Sequence, residues 1–169
     1  MEDKMNAIFH RTSIRQFTDA PVTEEEITLL LRAAMAAPSA CNQQPWEFYV
    51  VTGPEARQAL GKATPFTQPA AKAPLVIVPC IREKDCRVPA MAVQDLSAAT
   101  ENILLEADEL GLGGVWMGLH PMTQRILLVR ELLHIPEELS PFCLIAIGHP
   151  VEVRPQQDRY SEERVHRIR

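Results

Sequence analysis

Pro74-Leu75-Val76-Ile77-Val78 and Phe142-Cys143-Leu144-Ile145-Ala146-Ile147 are continuous apolar runs without polar alternation. Such runs mark strands covered on both faces, so helices must pack on either side of one sheet. Between them, roughly residues 90–110 read as the longest helix. Val93, Leu96, Thr100, Ile103, Ala107 and Leu110 form its stripe, and Gly111 suits its C-terminal cap. Ala92, Ala99 and Leu104 widen that apolar surface beyond what a thin monomer needs.

Upstream, Thr23-Glu24-Glu25-Glu26 is a helix start, with Thr23 as cap and Glu26 closing a capping box. Ile27, Leu30, Leu31 and Ala34 continue the stripe, and Pro38 terminates it. Residues 2–10 read as a short helix with Met5, Ile8 and Phe9 on one side. Glu47 to Thr52 reads as a strand ended by Gly53-Pro54, followed by a helix over roughly 54–62. Val115-Trp116-Met117 is extended, and Thr123 caps a helix over about 124–133. The sum is an α+β domain whose central sheet shows about four core strands. So small a sheet suggests that part of the core is shared with another subunit.

The totals narrow the function. A chain of 169 residues is a one-domain length. A net charge of −5 with no basic block argues against nucleic acid. No apolar run is long enough to cross a bilayer, and the N-terminus lacks a signal-peptide core, which points to the cytoplasm. Cys41, Cys80, Cys86 and Cys143 have no metal spacing, nor do the five histidines, so the expectation is reduced thiols and no metal.

Two segments carry polar chemistry. In extended backbone, Arg11, Ser13 and Arg15 point to one side, and Thr12 and Ile14 to the other. The arrangement presents two guanidinium forks suited to phosphate. Taken alone it reads as a solvated basic patch, because two arginines four apart are common. Pro38-Ser39-Ala40-Cys41-Asn42-Gln43-Gln44-Pro45-Trp46 is a loop of small residues and amides. Asn42 and Gln44 each carry a donor and an acceptor, apt for the edge of a pyrimidine-like ring, although ordinary turn chemistry explains the loop as well. Together the segments fit flavin mononucleotide, phosphate at one end and ring system at the other. Gly111-Leu112-Gly113-Gly114-Val115-Trp116-Met117-Gly118 is not a dinucleotide loop, because a helix precedes it and a strand follows. Cys41 has no histidine near it in sequence and reads as a small packing residue. Trp46 and Trp116 read as core or interface aromatics.

In their order these stretches resemble the FMN-dependent nitroreductase family in its short form. The family's R-x-S-x-[RK] is matched by Arg11 to Arg15, its P-S-x-x-N-x-Q-P-W by Pro38 to Trp46, and its glycine-containing segment by Gly113 to Gly118. Its late arginine is matched in Arg159-Tyr160-Ser161-Glu162-Glu163-Arg164-Val165-His166. The resemblance implies a nitroreductase-like fold over residues 1–169, with a mostly antiparallel sheet and an intertwined homodimer whose tail, 150–169, wraps the partner. It implies FMN held by Arg11, Thr12, Ser13, Arg15 and Arg159 of one subunit and by Pro38, Ser39, Ala40 and Asn42 of the other. Gln44 would shape the loop, and Met117 and Gly118 would approach the flavin N5 through their backbone. NADH or NADPH would deliver hydride, and a nitroaromatic, quinone or similar electron-poor acceptor would remove it in ping-pong order. No side chain is expected to act as nucleophile, and Arg15 would tune the flavin electrostatically. Other flavin chemistry on the same fold (a dehydrogenase, a reductive dehalogenase) and a non-enzymatic FMN-binding module are the alternatives. Larger members carry an inserted helical excursion over the flavin for which this chain has little room. They often have an acidic residue where Met117 stands, so no side-chain role transfers there.

Overall fold

The computed structural model describes residues 7–153, 155 and 158–169. Along the chain run α1 (Ala7–His10), α2 (Glu24–Met35), β1 (Trp46–Val51), α3 (Pro54–Gly61), α4 (Gln68–Lys72) and β2 (Leu75–Arg82). They are followed by α5 (Ala92–Glu109), β3 (Gly113–Gly118), α6 (Thr123–Leu132), β4 (Leu139–Pro141) and β5 (Cys143–Gly148).

The two apolar runs lie at the centre of the sheet, whose order is β1-β2-β5-β3, with β4 also on β2. Every ladder is antiparallel. The sheet therefore has five strands where the sequence shows about four, because Leu139-Ser140-Pro141 is too short to show a period. β2 also runs past Val78, through Pro79, to Arg82. A proline inside a central strand removes a ladder donor. Here it sits where β2 changes partner from β5 to β4, and its carbonyl accepts from Phe142 N–H at 2.8 Å.

The alternating faces of β2 and β5 feed two cores. Leu75, Ile77, Ile145 and Ile147 meet α2 and α5 through Leu30, Leu96 and Ile103. Val76, Val78, Leu144 and Ala146 meet α3, α4 and α6 through Leu60, Ala70 and Val129. Burying each large aliphatic side chain contributes about 1.5–3 kcal/mol. The long helix also buries Ala92, Ala99 and Leu104 inside its own chain, so their apolar surface gives no argument for a partner subunit.

The capping box at Thr23 and Glu26 forms with both hydrogen bonds, and Gly111 follows the C-cap of α5 with φ of 72°. α2 ends at Met35, three residues before Pro38. Residues 89–91 form a separate 3-10 turn before α5. Thr123 does not cap: it lies in the first turn of α6, whose N-cap is Met122. α4 was not expected, being a single turn of low periodicity. Of the N-terminal helix, α1 is seen with Ala7 buried and with Ile8 and Phe9 exposed; Met5 lies outside the described residues. No helix among the described residues is long and apolar enough to cross a membrane.

Candidate flavin site

Residues 11–18 lie across one end of the sheet. Ser13 bridges Gly114 in parallel, Ile14 N–H donates to the Gly114 carbonyl at 3.0 Å, and Thr18 N–H donates to the His149 carbonyl at 2.9 Å. The expected alternation holds from Thr12 to Arg15: Ile14 is buried, Ser13 and Arg15 are exposed, and Thr12 shares a cleft with Ile14, whereas Arg11 is half-buried and its backbone N–H donates to the Ala7 carbonyl at 2.9 Å at the end of α1. Gly113 makes this packing possible, since a Cβ there would stand 2.6 Å from Ile14 Cγ1. The glycines of this segment thus admit a neighbouring strand at one end. At the other, Gly118 has open space where a Cβ would be.

Arg11 Nε lies 3.2 Å from Glu101 Oε1 on α5. Arg15 donates weakly to the Ser13 carbonyl, at 3.4 Å, and faces a cleft also lined by Gln16, Phe66, Gln68, Pro69 and Lys72. Phe66, Lys72 and Arg125 were missed in the sequence. The Arg125 guanidinium lies 5.4 Å from the exposed Phe66 ring, and its Nη1 donates to the Gly118 carbonyl at 3.3 Å. Met117 is buried in the core behind β3, so only its backbone faces the strand edge.

The amide loop occupies a different level. Cys41, Asn42 and Gln44 have φ of 51°, 52° and 46°, a left-handed conformation costing non-glycine residues about 1–2 kcal/mol each. Short-range bonds hold it in part: Asn42 N–H to the Ser39 carbonyl, Gln43 N–H to the Ala40 carbonyl, and Gln44 N–H to Ser39 Oγ at 3.0 Å. The rest comes from Asp95, buried in the first turn of α5. Its Oδ1 accepts from Ala40 N–H at 2.9 Å and its Oδ2 from Gln43 Nε2 at 2.7 Å. Hydrogen bonds to a charged acceptor contribute roughly 1.5–3 kcal/mol, enough to offset the strain. Gln43 Oε1 accepts in turn from Val88 N–H at 2.9 Å. Sequence reasoning missed both Asp95 and Gln43. The available signal was a carboxylate on the core stripe between Ala92 and Leu96.

Pro38, Asn42 and Gln44 are exposed, and Ser39 and Ala40 half-buried. Cys41 is exposed as well, which corrects its reading as a packing residue. Trp46 is core, and Trp116 is half-buried against Phe142. Arg159 is exposed in the C-terminal segment, whose Tyr160, Val165 and Ile168 are exposed too.

Within one chain the two polar segments are not brought together. The loop is tied to Asp95, whereas α1 is tied to Asp108 through His10 Nδ1 at 2.8 Å. These anchors stand on one helix, thirteen residues or about 20 Å apart at the helical rise. The cleft at Arg15 receives nothing from residues 38–46.

The class of protein that carries this two-core α+β fold, cationic edge and strained amide loop is given by comparison with known proteins. The family model described as "Nitroreductase family" matches residues 8–92 and 65–149. A protein of Archaeoglobus fulgidus with the provisional name NADH dehydrogenase/NAD(P)H nitroreductase is 42% identical, over 99% of this chain and 98% of its own. An FMN-dependent nitroreductase of Clostridium difficile superposes with a TM-score of 0.89 at 29% identity, covering 97% of this chain and 98% of that one. A provisionally named nitroreductase of Desulfovibrio desulfuricans, solved in complex with FMN, superposes at 0.85 with 31% identity, covering 96% and 95%. The chain belongs to the nitroreductase family.

Proposed function

We propose that this chain is an FMN-dependent NAD(P)H oxidoreductase whose flavin site is completed by a second copy of itself. The observation that supports the two-copy site is that the cleft beside Arg15 is lined by residues 13–16, 65–72 and Glu152 and by none of residues 38–46. Each segment presents exposed polar groups. The exposed C-terminal segment supports the same reading, with apolar side chains and Arg159 directed away from its own core.

The residues fit the group. Arg11, Thr12, Ser13 and Arg159 would hold the phosphate end. Pro38, Ser39, Ala40 and Asn42 of the other copy border the ring, with Gln44 shaping their loop. FMN supplies the hydride and electron chemistry when bound. Arg15 would supply a fixed positive charge to the reduced, negatively charged flavin. Met117 and Gly118 would approach the ring through their backbone. No side chain is asked to attack covalently. The donor, NADH or NADPH, and an electron-poor aromatic or quinone acceptor use the same exposed face in turn, which gives ping-pong kinetics.

Purification tests this directly. The protein is expected to be yellow, to release FMN on denaturation, and to oxidise NADH or NADPH faster when a nitroaromatic or a quinone is added. A colourless protein that takes up no added FMN overturns the flavin reading. A monomer in sedimentation at high concentration overturns the two-copy site.

A further inference from the structure

Asp95 lies outside every segment that matches a cofactor motif, yet it is the buried carboxylate on which the amide loop rests. We propose that Asp95 and Gln43 form a positioning clasp that holds the loop in its left-handed turn and so presents Asn42 to FMN before it binds. The inference rests on the flavin reading above.

The hydrogen bonds form a matched circuit. One carboxylate oxygen takes Ala40 N–H and the other takes the Gln43 amide. The same amide nitrogen reaches the Val88 carbonyl at 3.2 Å, and its oxygen takes Val88 N–H. Gln43 therefore points inward and is fully engaged, while Asn42 and Gln44 on either side remain exposed. The successive amides thus divide their work: Gln43 locks the backbone, and Asn42 stays available. Position 95 lies in the first turn of α5, the helix end at which acidic side chains are favoured. The loop needs this support, because residues without the freedom of glycine hold positive φ at Cys41, Asn42 and Gln44. Asp95 and Gln43 act through the loop and are positioning residues, not catalytic ones.

A charge exchange tests the clasp. Asp95→Asn sets an amide NH2 against the Gln43 NH2, and Gln43→Glu sets two carboxylates together. In the double variant the new amide donates to the new carboxylate, which still accepts from Val88 N–H, although the Val88 carbonyl loses the donor it had in Gln43. Each single variant is expected to weaken FMN binding, read from the fluorescence of free FMN, by about tenfold or more. The double variant is expected to bind about fivefold tighter than Gln43→Glu, whose two facing carboxylates it removes. The flavin midpoint potential should shift in the single variants and return in the double. Circular dichroism and size of the apoprotein should be unchanged. Single variants that bind FMN like the parent, or a double variant no better than Gln43→Glu, overturn the clasp. If the parent itself takes up no FMN, the flavin reading falls instead. The clasp is then judged in the apoprotein by amide exchange at Ala40 and Val88, where rates unchanged by Asp95→Asn overturn it.

Discussion

Arg11 Nε stands 3.2 Å from Glu101 Oε1, so one of the two guanidinium groups proposed to meet the flavin phosphate already faces an anion in its own chain. The pair is partly exposed and contributes roughly 0–1 kcal/mol to stability. For a phosphate ligand the nearby carboxylate is a local opponent. Glu101→Gln is expected to tighten FMN binding by about two- to fivefold at low ionic strength, the gain shrinking as salt is added. Fluorescence titration at several salt concentrations checks it. An affinity that falls in Glu101→Gln would mean that Glu101 is needed to aim Arg11.

Among the described residues Arg15 makes a single long bond, to the Ser13 carbonyl, and is exposed. Arg15→Ala should therefore leave the thermal midpoint nearly unchanged. If the guanidinium stabilises the reduced flavin, the two-electron potential falls by about 30 mV or more, equivalent to about tenfold. Spectroelectrochemistry of the variant with FMN bound measures the change. An unshifted potential removes the tuning role.

Gly113 lets Ile14 lie on β3, and a methyl group there would meet the Ile14 side chain at 2.6 to 3.0 Å. Gly113→Ala is expected to cost about 1–3 kcal/mol through overpacking. It should also weaken FMN binding, because the whole segment from Arg11 to Arg15 rides on that contact. Denaturant unfolding and FMN titration should move together. Destabilisation with unchanged affinity would separate the segment from the site.

Thr23 and Glu26 close the N-terminus of α2 with a capping box that includes none of the candidate flavin residues. Thr23→Ala should cost about 1 kcal/mol, a fall of about 2–4 °C in Tm, with FMN affinity intact. The Thr23 backbone N–H first, and its hydroxyl in addition, hold the Glu26 carboxyl below its ordinary value of 4.5, against a smaller opposing effect of burial. A depressed folded-state value means a contribution present above that ordinary value and lost as pH falls through the lower one. Glu26→Gln should thus flatten the acid side of the stability curve below about pH 4.5 and leave its neutral side parallel. An unchanged acid slope would show that other carboxylates govern it.

The thiols divide by burial. Cys80 is pushed up to about 12, mainly by burial with Glu47 adding to it, and Cys143 is raised further by complete burial against a weak bond from Thr100. Neither should react with a thiol reagent in the native protein. Cys41 is exposed in the amide loop, and Cys86 is half-buried with its Sγ donating to the Arg82 carbonyl at 3.1 Å. Cys41 is expected to label first, and bound FMN to slow it. Equal rates with and without FMN would place the ligand elsewhere.

What could be read along the chain was local or periodic. The Thr23–Glu26 cap spans three residues, the stripe of α5 repeats over its own turns, and the runs at Leu75 and Cys143 need no partner to be seen as buried. The exposed side of the site followed likewise, since alternation in extended backbone puts Ser13 and Arg15 opposite Ile14. Folding supplied what depends on residues distant in sequence. Ala40 meets Asp95 across 55 positions and His10 meets Asp108 across 98. The inward turn of Gln43, the pairing of β4, and the burial of Ala92, Ala99 and Leu104 arise the same way. Periodicity reports which side of an element is apolar, whereas the neighbour that covers it, or the carboxylate that holds a loop, is chosen only when the layers pack.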